Sequence, residues 1–425
     1  MNQRLTRRNL LKLGLGAAAG AAGANLLIGS RGALSPVASA QPTAITPRYF
    51  LAGTDGWISL PGQGSDQFHP DALAPQGKTT YVFGFADVTS MLSAGIPSIT
   101  ASFKNRAQIC APLMYFDEGG QYVIRLTNLG LQQRPDLTDA HTVHWHGFRN
   151  ALPMFDGEPS SSIAVPMGRT FDYAYRPRDA GTYMYHCHFE DTEHVHMGMT
   201  GPVFVRPLQN GTSKTYAGRP YTKFAYNDGD GSTGYDREYV IFLSEVWNES
   251  HWDDAHIQLP DWTDYKADFF LMNGRVYPDT LLANGAVAGR SDLDTQPYSS
   301  LVQCNAGERV LLRFINLGFT KAAMTLSGTR LSVVGMDAVL LRGRTGADGS
   351  YSTNTIPIGP GESVDAIFQA PTYAPSASGY NTYPLYNRSM GGASNNGLGG
   401  LGGQLTEVRV FNGTQPAQDG PNDLL

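Results

Sequence analysis

The chain repeats itself. Glu118–Gly130 (EGGQYVIRLTNLG) matches Ala306–Gly318 (AGERVLLRFINLG), Val165–Asp172 (VPMGRTFD) matches Ile358–Asp365 (IGPGESVD), and Thr182–His188 (TYMYHCH) aligns with Thr382–Arg388 (TYPLYNR). A repeat in which each unit carries short alternating strands between Gly, Pro and Asn turns predicts two homologous all-β sandwiches. The strand signals include Thr79–Phe85, Tyr122–Thr127 and Val310–Ile315. The expected division is residues 41–208 for the first domain, 209–235 for a linker rich in Gly, Asp, Thr and Ser, 236–415 for the second domain and 416–425 for a tail.

The repeat also separates chemistry from scaffold. Seven of the ten histidines lie between positions 141 and 196, all in the first unit. Where that unit has His186-Cys187-His188 the second has Tyr386-Asn387-Arg388, and no histidine follows His256. The second domain is therefore expected to bind no metal. Its glycine-rich segment, residues 391–403, reads as a surface loop.

Cys187 is followed by His194 and Met199, and His141 precedes them on another strand. One thiolate, two imidazoles and a weak axial thioether are the ligand set of a blue-copper electron-transfer site. Side chains alternate between the faces of a strand. His144 and His146 thus share one face and His141 the other, while His186 and His188 share a face from which Cys187 points away. His141, Cys187, His194 and Met199 can meet on one side, and His144, His146, His186 and His188 can converge on the other. Within the loop His196 competes with His194, and Met197 with Met199.

These motifs resemble those of the multicopper oxidases, the laccase-like family built from cupredoxin repeats. The matching patterns are His141-x-x-His144-x-His146-Gly147, Asp156-Gly157-x-Pro159, the Gly181–His188 run and the later His194-x-x-x-Gly198-Met199. The resemblance implies two cupredoxin-like Greek-key β-sandwiches. It implies that His141, Cys187, His194 and Met199 hold a type 1 copper that takes single electrons from a small donor. It further implies that His144, His146, His186 and His188 supply half of the eight histidines around a type 2/type 3 copper cluster where dioxygen is reduced to water. Asp156 matches an acid near the type 2 copper that assists proton delivery; its other role would be that of an Asp-Gly turn residue.

Two departures from the family stand out. The loop between Cys187 and His194 is about two residues longer than in relatives, and the second set of four cluster histidines is missing. His69, His196, His251 and His256 remain, none in a His-x-His pair. The missing half would come from a second copy across a two-fold axis, from a separate His-bearing chain, or from a smaller copper centre completed by a neighbour's His251 or His256. The last arrangement resembles copper nitrite reductase, which has an Asp where this chain has His144. A blue-copper carrier without catalysis is a third reading, and it leaves the four even-numbered histidines without a role.

The N-terminal 40 residues carry Arg7-Arg8, then a weakly apolar run to Gly29, then Ala38-Ser39-Ala40. This pattern is expected to be a cleaved twin-arginine export signal that delivers a periplasmic or secreted protein, with no membrane span remaining. It contains five of the 31 basic residues and none of the 37 acids, so residues 41–425 carry 26 basic groups and a net charge of −11. That balance disfavours nucleic acid as a partner. Glu190, Asp191 and Glu193 in the copper loop would suit a cationic or metal-ion donor, but a solvated acidic loop is the preferred reading of them. Of the three cysteines, Cys110 and Cys304 remain as a candidate disulfide pair.

Overall fold

The computed structural model describes residues 45–62 and 66–423. The export-signal expectation at 1–40 lies outside them. The fold is all-β, as the repeat implies. One sandwich is built from β1 (Tyr49–Ile58), β2 (Thr80–Asp87), β3 (Met114–Asp117), β4 (Tyr122–Asn128), β5 (His144–His146), β6 (Thr170–Tyr175), β7 (Gly181–His186) and β8 (Thr200–Arg206). Its two sheets have the orders β2-β1-β4-β6 and β3-β8-β7-β5.

The connecting stretch carries a hairpin, β9 (Lys214–Tyr216) and β10 (Arg219–Tyr221). The other sandwich comprises β11 (Arg237–Val246), β12 (Phe269–Met272), β13 (Val302–Asn305), β14 (Arg309–Asn316), β15 (Ala322–Leu326), β16 (Leu331–Met336), β17 (Val339–Leu340), β18 (Tyr351–Thr353), β19 (Thr355–Ile358), β20 (Glu362–Gln369), β21 (Tyr380–Asn387) and β22 (Leu405–Phe411). Its sheets run β12-β11-β14-β20-β16-β17, with β18 beside β16, and β13-β22-β21-β15-β19. The sequence repeat is mirrored in the pairing. β4 lies parallel to β1 and antiparallel to β6, and β14 lies parallel to β11 and antiparallel to β20. Among the described residues three α-helices interrupt the strands: α1 (Ile96–Phe103), α2 (Asp191–Met197) and α3 (Asn248–Ala255). Among the described residues no helix is long and apolar enough to cross a membrane.

Burial explains why some strands alternate and others do not. Ile124 and Leu126 of β4 enter the first core with Phe116, Trp145 and Tyr173. In β14 both faces are covered: Val310, Leu312 and Phe314 enter the second core, Leu311 packs under the connecting stretch, and Ile315 packs with Phe204 of the first sandwich. A strand buried on both sides reads as a continuous apolar run. Into that run falls Arg313, fully buried between the sandwiches. Its guanidinium pairs with Glu238 at 3.1 Å and Asp365 at 3.5 Å, donates to Thr182 Oγ1 at 3.0 Å, and lies 4.4 Å from the Phe204 ring. The hydroxyls of Tyr226 (2.6 Å) and Thr182 (2.5 Å) also donate to Asp365.

Cys110 and Cys304 are both free and buried, in different apolar clusters, so the candidate disulfide does not form. Burial pushes each thiol up to about 12.

Removing one partner of a buried charge network leaves the others uncompensated and costs about 3–5 kcal/mol. Arg313→Ala should lower the urea-unfolding free energy by about that amount, and adding Glu238→Gln should recover part of the loss.

Candidate metal centre

Three residues make β5, and Trp145 anchors them. Its side chain is buried and stacks on Tyr175 at 5.3 Å, an anchor whose truncation would cost about 3–5 kcal/mol. With Trp145 pointing in, His144 and His146 must point out. Across the pair to β7, His144 stands opposite His186 and Trp145 opposite Tyr185. Cys187 follows directly and turns to the core side. The alternation read from the sequence thus produces two groups of donors: one nitrogen or sulfur from each of His141, Cys187 and His194 lie within 4.8 Å of one another, as do nitrogens of His144, His146 and His186.

The first group is sealed. His141, Cys187, His194 and Met199 all have zero exposure. Cys187 Sγ lies 3.3 Å from His194 Nδ1 and receives the Thr142 N–H at 3.4 Å. Burial alone would raise the Cys187 thiol, but the imidazoles of His194 and His141 outweigh it and hold it well below the ordinary thiol range. For His194, burial opposes protonation, yet the Cys187 thiolate and Asp139 raise it to about 10. Both ring nitrogens of His141 are buried without a hydrogen-bond partner. Buried polar atoms are nearly always paired, so an orphaned imidazole beside a thiolate fits a metal ligand.

Gly53 makes the packing of this group feasible. A Cβ there would fall 2.6 Å from His141 Cδ2 and 3.4 Å from Met199 Cε. Met199 therefore shares its space with His141, and its carbonyl accepts the Cys187 N–H at 3.0 Å.

The loop alternatives separate on α2. Residues two apart on a helix face away from each other. His194 faces Cys187, whereas His196 accepts the Trp247 N–H on Nε2 at 3.2 Å among His251, Trp262, Tyr265 and Phe319. Burial keeps His196 neutral, well below the usual imidazole range.

The second group is more open. His144 Nδ1 donates to the Asp156 carbonyl at 2.8 Å, leaving Nε2 free, and the Asp156 carboxylate stands 3.5 Å from the same Nδ1. Gly157 permits this approach: its φ is +78°, and a Cβ would lie 2.2 Å from the Val143 carbonyl oxygen. His186 Nδ1 donates to the Cys187 carbonyl at 2.8 Å, and its Nε2 lies 3.3 Å from His146 Nδ1. Burial, reinforced by neighbouring imidazoles, lowers His144, His146 and His186, the last to about 3. All three are neutral and keep lone pairs for a metal. His188 contributes no nitrogen to the close trio, although its ring lies 4.8 Å from that of His144 and 5.5 Å from that of His186, and its side chain is 30% exposed.

The remaining histidines are engaged elsewhere. His69 lies beside Thr80, His251 Nδ1 donates to the Tyr81 carbonyl at 2.6 Å, and His256 pairs with Asp71 at 3.0 Å. Sequence reasoning missed Asp139, whose carboxylate lies 3.7 Å from His194 Nε2 and groups with Glu190. Its position two residues before His141 was the available signal. A carboxylate on the outer nitrogen of a ligating histidine orients the ring and raises its basicity.

Residues 101–210 match a family profile described as "Cu-oxidase_3: Multicopper oxidase", and residues 237–397 match "Cu-oxidase: Multicopper oxidase". Laccase-25 of Oryza sativa subsp. japonica is 25% identical over 269 residues, which are 62% of this chain and 39% of that protein. The chain spans about two-fifths or less of the length of such curated relatives. Among solved structures, the blue copper oxidase of Nitrosomonas europaea superposes with a TM-score of 0.55 at 20% identity, covering 85% of each chain. The multicopper oxidase mgLAC gives 0.56 at 20% identity over 87% of each. These likenesses show the cupredoxin-like fold.

Two outcomes follow from the geometry. Cys187→Ser and His194→Ala should each abolish the blue absorption of copper-loaded protein, whereas His196→Ala should keep the colour and lose stability instead. Buried His251 has its proton affinity pushed down to about 4 from the ordinary 6.5. The native state holds it neutral while the unfolded chain protonates below 6.5. Its contribution is therefore complete above pH 6.5 and lost as pH falls toward 4, about 3 kcal/mol in all. Denaturant titrations across that window should show the loss, with a shallower slope in His251→Gln.

Proposed function

The chain belongs to the multicopper oxidase family, and from that premise we propose a laccase-like oxidase that takes single electrons from a small donor and passes them to dioxygen. The family implies copper, and the two donor groups fit it. Copper held there would supply one-electron redox chemistry at the Cys187 group and dioxygen reduction to water at the imidazole group. His141, Cys187, His194 and Met199 would be the type 1 ligands, and His144, His146, His186 and His188 the half site of a type 2/type 3 cluster.

One observation carries this reading. Cys187 belongs to the sealed group, yet its own peptide leads directly into His186 and His188. The His186 Nδ1–H closes a second link of 2.8 Å onto the Cys187 carbonyl. The chain thus provides a path of one residue between the donor side and the acceptor side. Its other residues prepare the two ends. Phe83 and Phe189 pack near the His194 ring and help exclude water from the thiolate side. The Asp156 carbonyl fixes the His144 tautomer, while the Asp156 carboxylate, partly open to solvent, is placed to pass protons inward.

On the donor side the outer edge of His194 meets Asp139 and Glu190. A donor would therefore meet carboxylates before the ring, which suits cationic donors or those that release a proton as they are oxidised, phenols included. All ten histidines of the chain are accounted for, so the other half of the cluster would come from a second copy or a His-bearing partner chain. Export by the twin-arginine route to the periplasm or beyond is part of the same proposal and rests on Arg7-Arg8 and Ala38–Ala40.

The tight trio of His144, His146 and His186 favours a second reading, a single-ion centre of the nitrite-reductase-like kind. His188 separates the two. On the oxidase reading, His188→Ala and His144→Ala should each keep the blue colour while oxygen uptake with a phenolic donor falls at least about a hundredfold. Full uptake by His188→Ala would move the assignment to the single-ion centre.

A further inference from the structure

The connecting stretch between the sandwiches does more than span a gap. Ala225, Tyr226 and Tyr235 fold over the outer face of the β14-β20-β16 sheet, against Leu311, Val334 and Ile367. That cover stops short of the sheet's end. Beyond it lies a cavity of about 380 Å3, walled by the β9–β10 hairpin at Tyr216 and by the 342–350 loop. The volume is in the range of small-molecule sites.

Strand alternation sets the cavity floor. Ser332 pairs with Ser352 on one side and Ile367 on the other, and Arg309 pairs with Gln369. These side chains face away from the core that takes Leu331, Val333, Ala366 and Phe368. Three arginines converge on the floor. Arg330 donates through Nε and Nη2 to Ser352 Oγ and its carbonyl, at 2.8 and 2.6 Å. Arg342 is tied to Asp230 at 3.0 Å and Ser232 Oγ at 2.9 Å. Arg309 lies 4.6 Å from the Tyr216 ring and donates to the Ser232 carbonyl. The Nε atoms of Arg309 and Arg342 are nevertheless buried with no partner. Neither Arg309 nor Arg330 forms an ion pair with any described residue. Buried donors without acceptors are costly, and a bound acceptor would satisfy them.

We propose that this cavity binds an acidic saccharide, a ligand that combines a carboxylate with several hydroxyls, in a site independent of the metal centre. The guanidinium forks suit a carboxylate. A simple phosphate needs donors only, yet the lining also offers acceptors: the hydroxyls of Ser332, Ser350 and Ser352, the Gln369 amide and the Asp348 carboxylate. Asp348 would accept from a sugar hydroxyl. Val334, Leu340 and Ile367 add an apolar patch that fits the C–H face of a pyranose ring.

Isothermal titration of the full chain tests this, with a galacturonic acid trisaccharide, its neutral galactose counterpart and inorganic phosphate as probes. The acidic trisaccharide should bind with a dissociation constant near or below about 1 mM, and both other probes at least about tenfold more weakly. Arg330→Ala and Gln369→Ala should each weaken it at least about threefold, with unchanged circular dichroism, while Arg178→Ala on the other sandwich should not. Copper-free protein should give the same result, so failure of the oxidase reading leaves this one standing. No heat from the acidic trisaccharide at about 10 mM, phosphate binding as tightly, or indifference to both variants would each overturn the proposal.

Discussion

The alternation of side chains about Cys187 is the constraint on which the rest depends. A strand sends neighbours to opposite faces. Because Tyr185 and Cys187 go inward, His186 and His188 go outward, and β5 repeats the division with Trp145 against His144 and His146. Two centres of different character can then share one residue. One is sealed, with a thiolate and an orphaned imidazole; the other is built of neutral imidazoles and partly open. His144, His146, His186 and Cys187 sit on or next to the paired strands β5 and β7, so the sheet sets their spacing.

Burial prepares both centres in advance. It removes water that would otherwise solvate the Cys187 thiolate, and the nearby imidazoles stabilise the charge instead. On the other face it keeps His186 unprotonated far into acid. Desolvation of this kind opposes folding, and the aromatic packing around Trp145 and the apolar cores must offset it. The second sandwich contributes to this support. Through Arg313, Asp365 and Ser363 it grips Thr182, the strand residue four positions before the Cys187–His186 peptide is reached.

Much of this was legible in the chain. Strand signals placed β4 and β14, the repeat matched the two pairs of sheets, and parity separated His141 and Cys187 from His144, His146 and His186, as their donor atoms are grouped. What escaped the sequence depends on contacts between distant segments. His194 and His196 lie in the same loop; the spacing to Gly198-Met199 pointed to His194, but where His196 goes depends on the packing of α2 against Trp247. Gly53 acts on His141 from β1, a strand distant in the chain, and Asp139 lies two residues before His141 yet acts on His194, so neither contact is marked by a local pattern. The connecting stretch at 209–235 has the composition of a tether, yet Tyr226 and Tyr235 bury it on the sheet. Arg313 reads as an exception in an apolar strand until Glu238 and Asp365 are seen beside it.

The central claim is that one residue joins two copper centres, the second completed between chains. Copper content together with electron paramagnetic resonance, measured on purified protein of known oligomeric state, tests it most directly. The account predicts an assembly of more than one chain whose copper exceeds that of the Cys187 centre alone, with a type 1 signal and a magnetically silent fraction. Protein that binds a single copper per chain and gives only the type 1 signal, in every oligomeric state and after copper loading, would contradict it.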